Sequence, residues 1–519
     1  MMVIDYIDRG ARLAPDAPCM VLPDGTVAMT HREFHALTHR IAASLLAEGM
    51  QVGERVAVYS ANDVHAFACV VAVIRAGGIW TAVNAASLEA ELASLLTLTG
   101  CTRMLYHGSL AERAGALVDA VPTLRTSVSI GPGRPGDPEL AEWMAPEGTL
   151  APAQAYDPER PLMLLPTGGT TGAPKAVPVT NRQFLLMGLA LNAHLSEPEP
   201  PRYICATPMT HAAGVVALPT LAEGGSIIVH QKVKPAEIFS SIETNRATRI
   251  FLPPTAVYAL LGAPDARQRD FSSLRHFLVA ASPIAPDRLA EAVEVFGPVM
   301  VQSFGQAEAP MICTLLSAEQ IADAVANPDH RHRLAACGQP SMVAQVEIMD
   351  DDGQILGPEE QGEIVVRSDL VFRGYWENAQ ATKEMRRQAG WHGTGDIGKR
   401  DADGFIYILD RKKDMIITGG FNVYPSEVEA VIHGFPQVND CAVIGIPDEK
   451  WGEAVTAIIE PKQGENIDTD AIIAACKERL GSVKSPKTVL ISDLPRSPAG
   501  KILRRTLREK YWSSRPRRV

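Results

Sequence analysis

The sequence predicts a large α/β domain built on mainly parallel sheets, followed by a small α+β domain. Three observations lead there. A chain of 519 residues exceeds what one ordinary hydrophobic core organises. Up to about residue 310, short apolar runs alternate with helical patterns, the order of a parallel sheet sandwiched by helices. From about residue 335 the pattern turns β-rich, and after Asp410 a mixed α+β stretch runs to the end. The boundary is set there, giving domains 1–410 and 411–519.

The elements follow in order. Thr30 and Glu33 resemble a capping box that opens a helix over Arg32–Glu48. Arg55–Tyr59 reads as a strand, His65–Ala76 as a buried helix and Trp80–Val83 as another strand. Gly131–Pro152, rich in glycine and proline, reads as a loop or link. Leu162–Leu165 is a buried strand, and Asn181 is placed to cap a helix over Arg182–His194. Further strands are expected at Ser226–Val229, Arg249–Leu252, His276–Val279 and Val299–Gln302, with helices at Pro235–Asn245 and Pro286–Phe296. The β-rich part holds Gln345–Met349, a turn at Asp350–Gly353 and Gly362–Arg367. The last domain holds a helix at Pro425–His433, strands at Asp440–Ile444 and Ala454–Glu460, and a helix at Thr469–Leu480.

Composition narrows the function. A net charge of −11 argues against a general binder of nucleic acid or anionic membrane, so an anionic ligand needs a locally basic site. Eight scattered cysteines without a CxxC pair suit a reducing compartment and offer no zinc framework. Met1–Tyr6 lacks the charged start and apolar core of a signal peptide. The most apolar stretch, Ala66–Trp80, is interrupted by Arg75 and two glycines and is too short to span a bilayer. The cytoplasm is the expected setting.

The most informative stretch is Thr167-Gly168-Gly169-Thr170-Thr171-Gly172-Ala173-Pro174-Lys175, directly after the Leu162–Leu165 strand. Glycines let a backbone approach an anion and turn its N–H groups toward it. Threonine hydroxyls donate to phosphate oxygens and lysine adds a point charge. No Gly-Lys-Ser/Thr closes the stretch, so it is not a Walker loop. A plain surface turn is the alternative, but it requires neither three hydroxyls nor a cation.

This loop resembles the phosphate-binding signature of the adenylate-forming enzymes: acyl-CoA synthetases, adenylation domains of peptide synthetases, and luciferases. Gly168 stands in for that family's serine and Ala176 for its final glycine. Other motifs follow in the family's order, so that the resemblance runs from about residue 20 to 510. Ser303-Phe304-Gly305-Gln306-Ala307-Glu308 is similar to Tyr-Gly-x-Thr-Glu: Phe304 would pack on adenine and Glu308 would hold Mg²⁺, while Ala307 replaces a threonine. Ala280-Ala281-Ser282-Pro283 sits at the family's Gly-Gly-Ala-Pro, an adenine contact and acyl-pocket wall. Pro208–Gly214 resembles Pro-x-x-His-x-x-Gly and places His211 near the acyl carboxylate. Gly390–Asp396 resembles Gly-Trp-x-His-Thr-Gly-Asp, with Gly393 in place of a histidine; Asp396 and Arg411 would contact ribose. Lys413 falls at the hinge position. Gly419-Gly420-Phe421 resembles the loop lining the pantetheine tunnel, with Gly420 the position that needs no side chain. Gly500-Lys501 near the end matches the motif of the catalytic lysine.

The resemblance implies a multi-subdomain large domain with a small barrel-like part, a mobile C-terminal domain, and an ATP-dependent carboxylic acid–coenzyme A ligase. Thr167, Gly168, Gly169, Thr170, Thr171, Gly172 and Lys175 would hold the β/γ-phosphates. Ala281, Ser282, Ser303, Phe304, Gly305, Ala307, Asp396 and Arg411 would hold the nucleoside. Thr170 and Glu308 would serve the metal, and Lys501 would bridge the acid carboxylate and the α-phosphate. His211, Ala280, Ser303 and Met311 would line the acyl pocket. Without a lysine or arginine there, a dicarboxylate is not favoured, and the expected substrate is a medium-chain fatty or aryl monocarboxylic acid. ATP, Mg²⁺ and coenzyme A are the expected cofactors, and a homodimer is compatible with the resemblance. Two alternatives stay open: transfer to a carrier-protein pantetheine or an amine, and a catalytically silent nucleotide binder, toward which Gly168, Ala176, Ala307 and Gly393 point.

Overall fold

A computed structural model describes residues 1–167, 174–210, 212–496 and 502–512. The chain divides into two compact units. The first comprises residues 1–346 and 366–392, the second residues 347–365 and 393–519. The second unit thus takes in residues 347–365 and begins its main segment ahead of Arg411, because strands Gln345–Met349, Gln361–Arg367, His392–Arg400 and Ile406–Arg411 form one four-stranded sheet.

Two large sheets carry the first unit. In one, the parallel neighbours are Met300–Phe304, His276–Val279, Arg249–Leu252, Arg202–Cys205, Ser226–Val229 and Pro18–Val21, in that order. Antiparallel strands Thr314–Leu316 and Val27–Thr30 flank them. In the other, Thr126–Ile130, Arg103–His107, Arg55–Tyr59, Ile79–Thr81 and Pro161–Thr167 run parallel, and Lys175–Thr180 returns antiparallel to Pro161–Thr167. Helix Val64–Arg75 is buried along its whole length apart from His65, and one apolar core joins it to residues of both sheets. An all-round apolar helix is stable only when covered on every side, which explains its near-absence of charge. Its one cation, Arg75, is neutralised by Asp8 at 2.6 Å.

Most expected elements are present, several with the same bounds: Arg55–Tyr59, Ser226–Val229, Pro235–Asn245, Arg249–Leu252, His276–Val279, Pro286–Phe296 and Gln345–Met349. The Thr30–Glu33 capping box forms as read. Asn181, however, does not cap the following helix. Thr180 does: its hydroxyl accepts the Gln183 N–H, and the Gln183 side chain accepts the Thr180 N–H at 2.8 Å. That reciprocal pair satisfies two end donors where one asparagine satisfies one. Asn181 instead accepts the Val3 N–H at 3.1 Å and donates to the Arg160 carbonyl at 3.0 Å. The stretch 131–152 holds a short helix, Leu140–Trp143.

In the second unit, strands Val438–Asp448 and Gly452–Pro461 form a long hairpin with helices Pro425–Ile432 and Thr469–Lys484 beside it. Strands Ile416–Thr418 and Phe421–Val423 pair with Thr418 opposite Phe421, leaving Gly419-Gly420 as a two-residue turn. Both have positive φ, +58° and +83°, as the tight hairpin turn demands. Among the described residues no helix is long and apolar enough to cross a membrane. All eight cysteines are free and buried.

Candidate active site

In the first unit the predicted residues fall at the carboxyl ends of parallel strands, where open α/β sheets bind ligands. Val279 lies opposite Gln302, so Ala280-Ala281, just past the end of one strand, and Ser303-Phe304, the last two residues of the next, lie at the same edge of the sheet. Ala281 has φ +77° and Met311 φ +58°, left-handed values that cost a side-chain-bearing residue energy. Gly305 packs against the backbone of Met311, where a Cβ would lie 2.5 Å from its nitrogen. Phe304 is half-buried, and Ser303 is buried with its hydroxyl unpartnered among the described residues.

The phosphate-loop strands end face to face, with Thr167 paired to Lys175. Gly168, Gly169, Thr170, Thr171 and Gly172 lie outside the described residues, as do His211 and Lys501. The Lys175 ammonium stands 4.8 Å from the ring centroid of Tyr375. The hydroxyl of that tyrosine donates to Glu308 Oε1 at 2.6 Å. Glu308 is 7% exposed, and no lysine or arginine pairs with it among the described residues. A buried carboxylate without a counter-charge is costly, and an added cation removes the cost.

The second unit holds the other predicted residues. Asp396 is buried and Arg411 pairs with it at 3.2 Å, the two lying opposite each other on adjacent strands. A Cβ on Gly419 would meet Trp451 at 2.9 Å, whereas Gly420 faces open space. Gly420 is therefore required here by its φ, while the crowding falls on its neighbour. Lys413 is exposed, and its carbonyl accepts from Arg508. Beyond Lys501, helix Arg504–Trp512 is bound to this segment by Arg504 on Glu429 at 2.6 Å and Arg508 on Asp414 at 2.7 Å.

Three residues before Lys413, burial pushes the Asp410 carboxyl up to about 6, although the Ser426 and Arg411 N–H groups and the nearby Arg504 favour its charged form. An unfolded aspartate releases its proton near pH 4. Between about pH 4 and 6 the folded chain therefore holds the extra proton, and stability falls as pH rises through that window. Asp410→Asn lacks this titration. Its melting temperature relative to wild type should rise between pH 4.5 and 7.5, by the equivalent of up to about 3 kcal/mol. A pH-independent difference would contradict the assignment.

Sequence reasoning passed over Tyr375, which follows Gly374 in a short aromatic-rich stretch without periodicity. The only cue was an aromatic beside a glycine, and its meaning comes from contacts some seventy residues away at Glu308.

Residues 7–376 match the family described as AMP-binding enzyme, and residues 427–501 match the AMP-binding enzyme C-terminal domain. The chain belongs to the AMP-binding enzyme family. It is 39% identical over 455 residues to the medium/long-chain-fatty-acid–CoA ligase FadD8 of Mycobacterium tuberculosis, covering 85% of this chain and 78% of that one. It is 34% identical over 514 residues to a feruloyl-CoA synthase of Amycolatopsis sp, covering 97% and 98%. Among solved structures, the amide bond synthetase McbA of Marinactinospora thermotolerans superposes with a TM-score of 0.88 at 28% identity, covering 98% of this chain and 100% of that one.

Proposed function

We propose that this AMP-binding enzyme is an ATP-dependent carboxylic acid–coenzyme A ligase. The observation that carries the reading is the convergence on one side chain, Tyr375, of the phosphate-loop cation Lys175 and the buried carboxylate Glu308. A cation for phosphate oxygens beside a carboxylate suited to a phosphate-bound metal is the equipment for displacing pyrophosphate.

A carboxylic acid is a poor acyl donor because its leaving group is oxide. In the first half-reaction a carboxylate oxygen attacks the α-phosphorus of ATP, the bond to the bridging oxygen breaks, and pyrophosphate leaves. In the second, a thiolate attacks the acyl carbon of the resulting mixed anhydride and AMP leaves as the stable anion. Catalysis of such transfers rests on positioning and charge stabilisation. Lys175, with Thr170 and Thr171, would hold the leaving pyrophosphate. Lys501 would bridge the acid and the α-phosphate, and His211 would lie near the carboxylate. Ser303, Phe304 and Gly305 would hold adenine with Ala281, Ser282 and Ala307, and Asp396 with Arg411 the ribose. Glu308, a buried carboxylate with one oxygen unbonded among the described residues, fits Mg²⁺, which prefers few carboxylates plus phosphate oxygens. When bound, that ion would neutralise charge on the departing pyrophosphate. The two half-reactions are assigned to two settings of residues 411–519 about Lys413, the second presenting Gly419, Gly420 and Phe421 to the thiol.

Coenzyme A as acceptor is supported by the names of the two relatives at 39% and 34% identity, both CoA ligases. An amine acceptor, named for the similar amide bond synthetase, is the alternative, and the CoA-ligase relatives do not favour it. The acid is a medium-chain fatty or aryl monocarboxylic acid, a class that spans the fatty and feruloyl acids of those relatives. The cytoplasm is the proposed setting. Exchange of labelled pyrophosphate into ATP tests the first half-reaction. Exchange that requires the acid but not coenzyme A is expected, and exchange that ignores the acid would refute it.

A further inference from the structure

We propose that Tyr375 is a positioning residue for adenylation: it orients the Glu308 carboxylate toward the metal and keeps that carboxylate apart from Lys175. The inference rests on the reading of Glu308 and Lys175 given above.

A glutamate carboxylate turns freely about its last torsion, and one strong bond is enough to fix its plane. Here that bond is the 2.6 Å hydrogen bond from the Tyr375 hydroxyl to Oε1, which leaves Oε2 without a partner among the described residues. A phenol keeps its proton at neutral pH, so the hydroxyl is the donor and the carboxylate the acceptor.

Tyr375 is itself held on every side. Its N–H donates to Thr382 Oγ1 at 2.9 Å. Its ring meets Phe372 edge-on at 4.8 Å. The residue before it, Gly374, has no room for a side chain, since a Cβ would lie 2.8 Å from Thr382. Both ends of the segment are bonded to the site it serves. The Phe372 N–H donates to the Glu308 carbonyl at 2.7 Å, and the Trp376 N–H donates to the Ala176 carbonyl, next to Lys175, at 2.8 Å.

Lys175 contacts the same ring at 4.8 Å, and among the described residues no ion pair joins it to Glu308. A direct pair would cancel both charges before the nucleotide arrives. With the ring against the ammonium and the hydroxyl on the carboxylate, the ammonium stays available to phosphate and the carboxylate to the metal, each already placed.

Full-length Tyr375→Phe tests the role, because it removes the hydroxyl and keeps the ring. Mn²⁺ binding is read by electron paramagnetic resonance in the presence of ATP without acid, so that no turnover occurs. Pyrophosphate release is then measured against Mg²⁺ concentration. The expected result is weaker Mn²⁺ binding and a half-saturating Mg²⁺ concentration raised about ten- to hundredfold, the loss of one hydrogen bond to a charged group. The KM for the acid should not change. Tyr375→Leu should in addition raise the KM for ATP, because Lys175 loses the ring.

A double-mutant cycle with Glu308→Gln separates positioning from a merely structural role. If Tyr375 acts through Glu308, adding Tyr375→Phe to Glu308→Gln produces no further loss. Wild-type Mn²⁺ binding by Tyr375→Phe, or losses that add in the double variant, would overturn the proposal while leaving the Glu308 reading in place. Unchanged Mn²⁺ binding and pyrophosphate release in Glu308→Gln alone would overturn that reading, and the proposal with it.

Discussion

Lys501→Ala should abolish acyl-adenylate formation, slowing it by about 10²–10³-fold or more, the cost of removing a charge aimed at the transition state. Thioester formation from acyl-adenylate supplied ready-made should proceed at close to the wild-type rate. The contrast follows from the assignment of Lys501 to the first half-reaction alone, where two anions, the acid and the α-phosphate, must approach each other. Once the anhydride exists, that repulsion is gone and the ammonium has no further task. Rapid-quench measurement of each half-reaction checks the expectation. Equal loss in both would show that Lys501 serves the whole cycle, or the fold.

Glu308→Gln carries the second large effect. The amide keeps the size of the side chain and can still accept the Tyr375 hydroxyl, but the charge is gone. Adenylation should fall by about 10²-fold or more. Stability should move the other way. Glu308 is buried and no cationic side chain pairs with it among the described residues, so the folded chain carries a desolvation cost that glutamine does not. The melting temperature of the metal-free variant should equal or exceed that of wild type. Loss of activity with a lower melting temperature would mean that the carboxylate holds the fold together. Functional groups that are a burden to the folded state are where activity trades against stability.

Several strands were legible because they are short apolar runs bounded by turn residues, and some were read with the observed bounds, whereas strands such as Arg103–His107 and Arg202–Cys205 were not read. Helix Val64–Arg75 could be read as buried because almost every position is apolar. The cap at Thr180 was misread because two adjacent residues, Thr180 and Asn181, both make good caps. The choice between them is set three residues on, at Gln183. The boundary at Asp410 was set where the mixed α+β stretch begins, whereas the second compact unit also takes in residues 347–365 and 393–410, most of a four-stranded sheet whose strands precede it or end at it. The stretch from Thr167 to Lys175 could be singled out because chemistry of this kind needs particular residue types close together in sequence. Tyr375 was not, because its partners lie at Lys175 and Glu308, far away along the chain and near only after folding.

Pyrophosphate release from ATP and Mg²⁺, followed across a panel of fatty and aryl monocarboxylic acids with and without coenzyme A, tests the central claim most directly. The account predicts release that depends on the acid, rises when coenzyme A is added, and is matched by a thioester product. Acid-dependent release that coenzyme A leaves unchanged would assign another acceptor. No release with any acid, in a chain that still binds ATP, would contradict the account and leave a nucleotide-binding protein without ligase activity.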